Sequence, residues 1–372
     1  MSAAGNDTGL DLRWLARALE LARGGLYSAA PNPRVGCVIA AGETLLGEGF
    51  HARAGGPHAE VEALGAAGAR ARGATAYLGL EPCSHHGRTP PCADALVAAG
   101  VTRVVAAIED PNPRVSGRGF AVLRAAGIEV SVGLLAEEAR ALNAGFIRRM
   151  AQGRPRVTLK LGASLDGRTA MASGESRWIT GPEAREDVQR LRGESCAVLT
   201  GSGTVLADDP RLDLRLPESL TRGRQPLRVV LDRRLRIQPA ARILSPPGST
   251  LVFTSASRLA GPEAEALRAA GAELARLPPG IAGPDLDAVV AALAERECNE
   301  VLVEAGPTLA GAFVAAGLVD RLVAYLAPAL LGDAARGMFA LPGLDRLSER
   351  VQWRFAEVTP VGADLRIVAV PA

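Results

Sequence analysis

The chain has 372 residues, 48% hydrophobic and only 3% aromatic, with a formal net charge of +2. That length suits two domains with sizeable cores, and no apolar run approaches the roughly 18 residues of a membrane span. Interspersed charges and scarce aromatics argue against the basic stripe or stacking platform of a nucleic-acid binder.

Residues 1–9 are polar and lack a basic-then-apolar leader, which predicts a cytoplasmic protein. Apolar side chains at Leu12, Leu15, Ala16, Leu19 and Ala22 recur at helical spacing, predicting a helix over 11–23 stopped by Gly24-Gly25. The Pro31-Asn32-Pro33 loop leads into strands at 35–40 and 44–50. A helix over 58–67 places His58 in its first turn with Glu60 just after it. A strand at 74–80 ends at Glu81-Pro82-Cys83, and Pro90-Pro91 enter a helix over 92–99. Strand 102–108, helix 119–126, strand 129–132 and helix 137–150 follow, an alternation that implies a three-layer α/β/α sandwich. The polar break Gln152-Gly153-Arg154-Pro155 divides the chain into domains 1–152 and 153–372. Beyond it, strands at 156–162, 197–200, 227–231, 250–253, 300–304 and 321–326 alternate with helices near 182–192, 262–270, 286–296 and 308–316. Two strands, 353–358 and 365–370, close this second α/β domain.

Five cysteines, Cys37, Cys83, Cys92, Cys196 and Cys298, are odd in number and scattered, which suits reduced thiols rather than a disulfide framework. All four histidines, His51, His58, His85 and His86, lie in the first third. Lys160 is the only lysine, every other basic side chain being arginine. The two cations differ in shape and hydration, so a retained lysine reflects either chance or function.

His58-Ala59-Glu60, Cys83 and Cys92 supply the parts of a catalytic zinc site: one imidazole, two thiols, and a carboxylate two residues after the imidazole. Three protein ligands leave a fourth position for water. His-x-Glu followed by Pro-Cys and a second Cys is the signature of zinc-dependent nucleobase deaminases. The usual spacing puts two residues between the cysteines; here there are eight. Singly, His58 reads as a helix-start histidine and each cysteine as a small buried hydrophobe. Jointly they converge at the sheet's edge, with Cys83 just past a strand's C-terminal end, where open α/β sheets bind ligands. A structural site closed by His85 or His86 is the alternative, and in it Glu60 would be an idle charge. The second half is less explicit. One strand runs into Gly306-Pro307-Thr308-Leu309-Ala310-Gly311 and another into Gly201-Ser202-Gly203-Thr204. Either turn can receive a phosphate at a helix start, or be a plain helix start. The latter is an incomplete dinucleotide fingerprint, because Leu206 stands at the third glycine position.

Pro31-Asn32-Pro33-Arg34-Val35-Gly36, His58-Ala59-Glu60 and Glu81-Pro82-Cys83-Ser84-His85-His86-Gly87-Arg88-Thr89-Pro90-Pro91-Cys92 resemble the bacterial bifunctional riboflavin-biosynthesis deaminase/reductase family. That family carries the eight-residue spacing. The resemblance continues through Lys160-Leu161-Gly162-Ala163-Ser164-Leu165-Asp166-Gly167-Arg168 and Val303-Glu304-Ala305-Gly306-Pro307-Thr308-Leu309, and so covers nearly the whole chain. It implies an N-terminal cytidine-deaminase-like α/β/α domain and a C-terminal dihydrofolate-reductase-like α/β domain, with one Zn2+ per chain and NADPH. The implied chemistry is zinc-hydroxide hydrolytic deamination of 2,5-diamino-6-ribosylamino-4(3H)-pyrimidinone 5′-phosphate. NADPH reduction of the ribosyl chain would then give 5-amino-6-(5-phosphoribitylamino)uracil.

By this resemblance His58, Cys83 and Cys92 hold the metal and Glu60 carries protons. Asn32, His51, His85, Arg88, Asp110 and Asn112 contact the deaminase substrate, although Asn32, Asp110 and Asn112 also read as ordinary turn residues. In the second domain, Gly162, Ala163, Trp178, Thr204, Asp208 and the Gly306-Pro307-Thr308-Leu309-Ala310-Gly311 turn would contact cofactor. Ser176, Arg192, Leu212, Arg215 and Glu304 would contact substrate, the two arginines as phosphate clamps. Lys160, on the strand entering that site, is expected to touch substrate or cofactor. Arg233, with Arg234 beside it, is expected to read the NADPH 2′-phosphate. A homo-oligomer, dimer or tetramer, is expected, with no nucleic-acid or membrane partner. Two other readings remain open: a nucleic-acid deaminase whose second half binds RNA, and a zinc-stabilised α/β binding protein, which ammonia release would exclude.

Overall fold

The computed structural model describes residues 3–84, 91–277, 279–280 and 284–372, and the chain divides into two units, Met1–Gly153 and Arg154–Ala372. The first unit runs α1 (Ala3–Ala22), β1 (Gly36–Ala41), β2 (Thr44–Phe50), α2 (Ala59–Ala67), β3 (Thr75–Leu78) and α3 (Cys92–Ala99). It continues through β4 (Arg103–Ala106), α4 (Arg118–Ala125), β5 (Glu129–Val132), α5 (Ala136–Leu142) and α6 (Ala144–Gln152). Its sheet has the order β2-β1-β3-β4-β5, with β1 antiparallel to β2 and β3, and β3, β4 and β5 parallel. Both faces are covered, so its central strands are apolar on both sides rather than alternating. Cys37, Ile39, Leu78 and Val104 pack against α2, α3 and α4 through Ala63, Leu96 and Phe120. Val38, Ala40, Tyr77 and Val105 face Trp14, Leu15 and Ala18 of α1 and Phe146 of α6.

The single helix expected over 137–150 is two helices broken at Asn143. That side chain, 2% exposed, turns inward and grips the Arg34 backbone from both sides. Its Oδ1 accepts from Arg34 N at 2.8 Å and its Nδ2 donates to Arg34 O at 3.0 Å. An asparagine that satisfies a distant backbone in this way competes with helix continuation.

The second unit runs β6 (Arg156–Ser164), β7 (Arg168–Ala170), α7 (Pro182–Glu194), β8 (Ala197–Gly201), α8 (Ser202–Asp208) and α9 (Glu218–Thr221). It continues through β9 (Leu227–Leu231), β10 (Thr250–Thr254), α10 (Pro262–Ala269), β11 (Ala272–Arg276), α11 (Leu286–Glu295), β12 (Glu300–Glu304) and α12 (Pro307–Ala315). The closing strands are β13 (Arg321–Ala327), β14 (Arg336–Gly337), β15 (Trp353–Val361) and β16 (Asp364–Pro371). The main sheet has the order β11-β10-β9-β8-β12-β6-β13-β16-β15, parallel from β11 to β13 and antiparallel for the last two strands. Leu159, Leu199 and Val229 pack against α11 and α12 through Leu293 and Phe313. Val198, Val230, Val252 and Leu302 pack against α7 and α10 through Leu191 and Leu267. Strand β11 and the β7–β14 pair escape the sequence reading because they are short or, in β11, half polar. In the parallel sheet β6, β8 and β12 are adjacent, so their C-terminal ends open on one edge, where parallel sheets gather ligand-binding residues. Among the described residues no helix is long and apolar enough to cross a membrane.

Asn143→Ala removes both hydrogen bonds to Arg34 and is expected to cost the first unit about 1–3 kcal/mol of unfolding free energy, read from a denaturant melt. An unchanged midpoint and slope would contradict that role.

Candidate functional site

In the first unit three elements deliver three donor atoms to one point. His58 is the N-cap of α2, in extended conformation, and its imidazole makes no capping hydrogen bond. Cys83 lies in the loop after β3, and Cys92 is the first residue of α3. The Cys83 and Cys92 Sγ atoms lie 3.6 and 3.3 Å from His58 Nδ1, and all three donor atoms fall within 4.8 Å of one another. The α3 start fixes this spacing, because Cys92 N donates to Cys83 Sγ at 3.3 Å and Ala93 N to Cys83 O at 3.1 Å.

Electrostatics bind the group together. A hydrogen bond from Cys92 chiefly, helped by His58, pulls the Cys83 thiol down to about 4. The same bond, with burial, pushes Cys92 far up. Two sulfurs so close cannot both ionise unless a cation stands between them. A set of two thiols and one imidazole suits zinc in type and number, and among the described residues it leaves one position open. Glu60, in the first turn of α2, is 3% exposed, and burial raises its carboxyl above the usual range.

His51 stands edge-on to His58, ring centroids 5.2 Å apart. Its Nδ1 lies 2.9 Å from Pro57 O, which can only accept, so Nδ1 carries the proton and Nε2 is an acceptor. Asn32 Nδ2, 3.0 Å from Nε2, is therefore the donor, which leaves the Asn32 carbonyl oxygen as its acceptor face. Burial lowers the His51 imidazole and keeps it neutral. Asp110 is 6% exposed, and burial pushes its carboxyl up to about 6. Asp110 Oδ1 accepts from Asn112 N at 2.8 Å and Asn112 Oδ1 from Arg114 N at 3.1 Å, so both side chains also build their own turn. His85 and Arg88, expected at this site, lie outside the described residues. Glu81 shows no role by residue type, a carboxylate beside Pro-Cys; its partners, the amides of Asp110, Gly117 and Phe120, are brought to it by the fold.

In the second unit, Lys160 on β6 and Glu304 on β12 stand opposite each other in the parallel register. Arg192 of α7 gives Nε and Nη2 to the two Glu304 oxygens at 2.6 and 3.0 Å, and Nη1 to Asp213 O at 3.1 Å. Burial would raise the Glu304 carboxyl, but Arg192 outweighs it and holds the group low. The guanidinium fork is thus spent on Glu304, which differs from the phosphate clamp expected of Arg192. Burial lowers the Lys160 ammonium, against the pull of Glu304. Arg215 is well exposed and lies 3.7 Å from Asp213, while Leu212 is buried in the core beneath α7.

Gly162 stands beside Lys160, so that a Cβ there would lie 3.8 Å from Nζ. Its neighbour Ala163 is fully buried. Ser176 Oγ donates to Asp208 Oδ1 at 3.3 Å, joining two expected contacts of substrate and cofactor. Trp178 is 70% exposed, with the Arg185 guanidinium 4.5 Å over its ring. Thr204 lies on α8, and Gly306 caps α12, whose first turn holds Pro307, Thr308 and Leu309. Further along α12, Ala310 is buried, and Gly311 packs so closely that a Cβ would meet Ala340 O at 2.0 Å. A Cβ at Gly203 or Gly306 would meet nothing within 4 Å, so both turns leave room beside the backbone for a phosphate. Arg233 is exposed after β9. Arg236, which the sequence reading omitted, reaches the α8 start through Ser202 Oγ at 2.9 Å.

Comparison with known proteins agrees with both halves. Residues 9–108 match the cytidine and deoxycytidylate deaminase zinc-binding region, and residues 155–367 the RibD C-terminal domain. The riboflavin biosynthesis protein RibD of Escherichia coli K12 is 52% identical over 97% of this chain and 100% of its own length. That of Haemophilus influenzae is 47% identical over 97% of each. The solved structure of Acinetobacter baumannii RibD, 45% identical, superposes with a TM-score of 0.91 over 98% of this chain and 99% of that one. The Thermotoga maritima diaminohydroxyphosphoribosylaminopyrimidine deaminase/5-amino-6-(5-phosphoribosylamino)uracil reductase, 34% identical, gives 0.86 over 98% and 99%. With both domains matched and full-length relatives well above 30% identity, this chain belongs to the RibD family of bifunctional deaminase/reductase enzymes of riboflavin biosynthesis.

Proposed function

We propose that the first unit deaminates 2,5-diamino-6-ribosylamino-4(3H)-pyrimidinone 5′-phosphate. The second unit then uses NADPH to reduce the ribosyl side chain to the ribityl chain of 5-amino-6-(5-phosphoribitylamino)uracil. The enzyme works in the cytoplasm as a homo-oligomer. The observation that carries the reading is the convergence of His58, Cys83 and Cys92 within 4.8 Å beside the buried carboxyl of Glu60.

His58, Cys83 and Cys92 would hold a zinc ion, whose chemistry there would be to lower the pKa of a water toward neutrality. Glu60, its carboxyl raised by burial, would move the water's proton to a ring nitrogen as the C–O bond forms, then move the new hydroxyl's proton to the amine, so that the C–N bond breaks, ammonia leaves and the carbonyl forms. Asn32, its amide oriented by His51, presents a carbonyl acceptor to the pyrimidine. Asp110 and Asn112 contact the substrate from the loop after β4, and His85 and Arg88 from the segment between the cysteines.

In the second unit NADPH, when bound, would supply the hydride. The chain's part is to hold two ligands in line and stabilise charge, a task that needs no resident histidine. Lys160 presents its ammonium to the reacting carbon's substituents, and Glu304 fixes that ammonium while held in turn by Arg192. Ser176, Leu212 and Arg215 complete the substrate side, with Arg215 as the phosphate clamp. Gly162, Ala163, Trp178, Thr204, Asp208 and the Gly306-Pro307-Thr308-Leu309-Ala310-Gly311 turn line the cofactor side. Arg233 and Arg236 read the 2′-phosphate.

Glu60→Gln is expected to retain zinc by metal analysis and to lose at least about 100-fold in ammonia release, with the reductase rate unchanged. Full deamination in that variant would remove Glu60 from the mechanism. Lys160→Arg should lower reductase kcat/KM by about tenfold or more while ammonia release persists, because a planar fork cannot replace a compact ammonium; unchanged reductase kinetics would sink this role. Replacing Arg233 and Arg236 with alanine should shrink the preference for NADPH over NADH by about tenfold. An unaltered preference would place the 2′-phosphate elsewhere.

A further inference from the structure

Three backbone N–H groups from separate points of one segment converge on a single buried carboxylate. Glu81 is 3% exposed and sits two residues before Cys83. Its Oε2 accepts from Asp110 N at 3.1 Å and from Gly117 N at 3.0 Å, and its Oε1 accepts from Phe120 N at 3.2 Å. The first of these amides belongs to the turn carrying Asp110 and Asn112. The other two belong to the start of α4, where Gly117 is the N-cap. Glu81 is itself tied to the sheet, because its own N–H donates to Ile108 O at 3.0 Å. One carboxylate thus closes both ends of the 110–120 segment onto the strand of chain that leads into the metal loop.

Packing shows the same closure. A Cβ at Gly119 would meet Pro82 O at 2.0 Å and Glu81 Cγ at 3.2 Å, so the α4 start lies directly against the Glu81-Pro82 backbone. Backbone-amide donors at a helix start are a favourable partner set for a buried carboxylate. Removing such an acceptor strands several buried donors together. The other bonds of the Asp110 turn are local to residues 109–118, among them Val115 N to Asn112 O at 2.8 Å and Ser116 Oγ to Glu109 Oε1 at 2.9 Å, whereas Glu81 ties the turn to the chain that leads into the metal loop.

We propose that Glu81 is a positioning residue for deamination, setting the Asp110–Asn112 turn in register with the metal loop through its three backbone amides. This rests on the reading above that Asp110 and Asn112 contact the pyrimidine substrate. Glu81 touches neither substrate nor reacting atoms; it acts through the turn. Its consequence is felt in substrate binding rather than in metal binding or proton transfer.

The test is a double-mutant cycle on the zinc-loaded full chain, following ammonia release with the diaminopyrimidine phosphate. Glu81→Gln keeps size but sets an amide donor against amide donors. It is expected to raise KM about tenfold, to leave kcat within about twofold, and to retain one zinc per chain. Asp110→Ala alone should also raise KM, and the two together should cost little more than either, because both act through one turn. Gly119→Ala, which leaves the carboxylate intact but forces α4 away from Pro82, should reproduce the KM rise. Retention of one zinc per chain serves as the folding control for the first unit, and the reductase rate for the second. Costs that add, an unchanged KM in Glu81→Gln, or loss of zinc in both Glu81→Gln and Gly119→Ala would each overturn the coupling. An Asp110→Ala variant with normal KM would instead overturn the assignment of Asp110 to the substrate, a distinguishable failure.

Discussion

Charge confinement is the constraint on which the first unit depends. Two thiols and an imidazole converge within 4.8 Å of one another, half-buried to buried, beside the buried carboxyl of Glu60, and the hydrogen bond between the sulfurs lowers one thiol and raises the other. A divalent ion resolves that conflict and sets the protonation of everything around it. The fold prepares the point in advance: an N-cap supplies His58, a strand end supplies Cys83, and a helix start supplies Cys92. Each of these termini is fixed by backbone hydrogen bonds that do not involve the metal. The site is therefore a product of sheet and helix packing rather than of the ligands alone.

The second unit solves a different problem with similar means. It has no histidine and no thiol pair at its sheet edge, only a lysine, a glutamate and an arginine brought together by adjacent parallel strands and α7. Arg192 neutralises Glu304, and Glu304 opposes the tendency of burial to discharge Lys160. Arg192, Glu304 and Lys160 thus form a row of alternating charges at one end of the parallel strands.

Much of this was legible in the sequence. Parallel strands buried on both faces read as continuous apolar runs, so β9 and β12 are legible to the residue, while the antiparallel edge strand β2 is delimited by the Gly42-Glu43 turn before it, and α3 is marked by the prolines before it. The metal group was legible because histidine, cysteine and glutamate at that spacing have few other joint uses. What escaped was whatever depends on a partner distant in sequence. Asn143 breaks a helix because it binds Arg34, Arg192 spends its fork on Glu304, and Glu81 gathers amides from a segment about thirty residues on. Residue type announces a charge or an amide, but the partner that defines its role is chosen by the fold. The reductase contacts were reached by family resemblance more than by residue chemistry, because a glycine turn before a helix is common to many folds.

In the proposed function one chain carries two ordered activities, hydrolysis first and reduction second. The most direct measurement is a single incubation of the zinc-loaded protein with the diaminopyrimidine ribosylamine phosphate, with and without NADPH, following ammonia and the side-chain product together. Ammonia released without NADPH, and a ribityl product formed only with it, is the predicted result. Ammonia release that requires NADPH, or NADPH oxidation with no ribityl product, would contradict it.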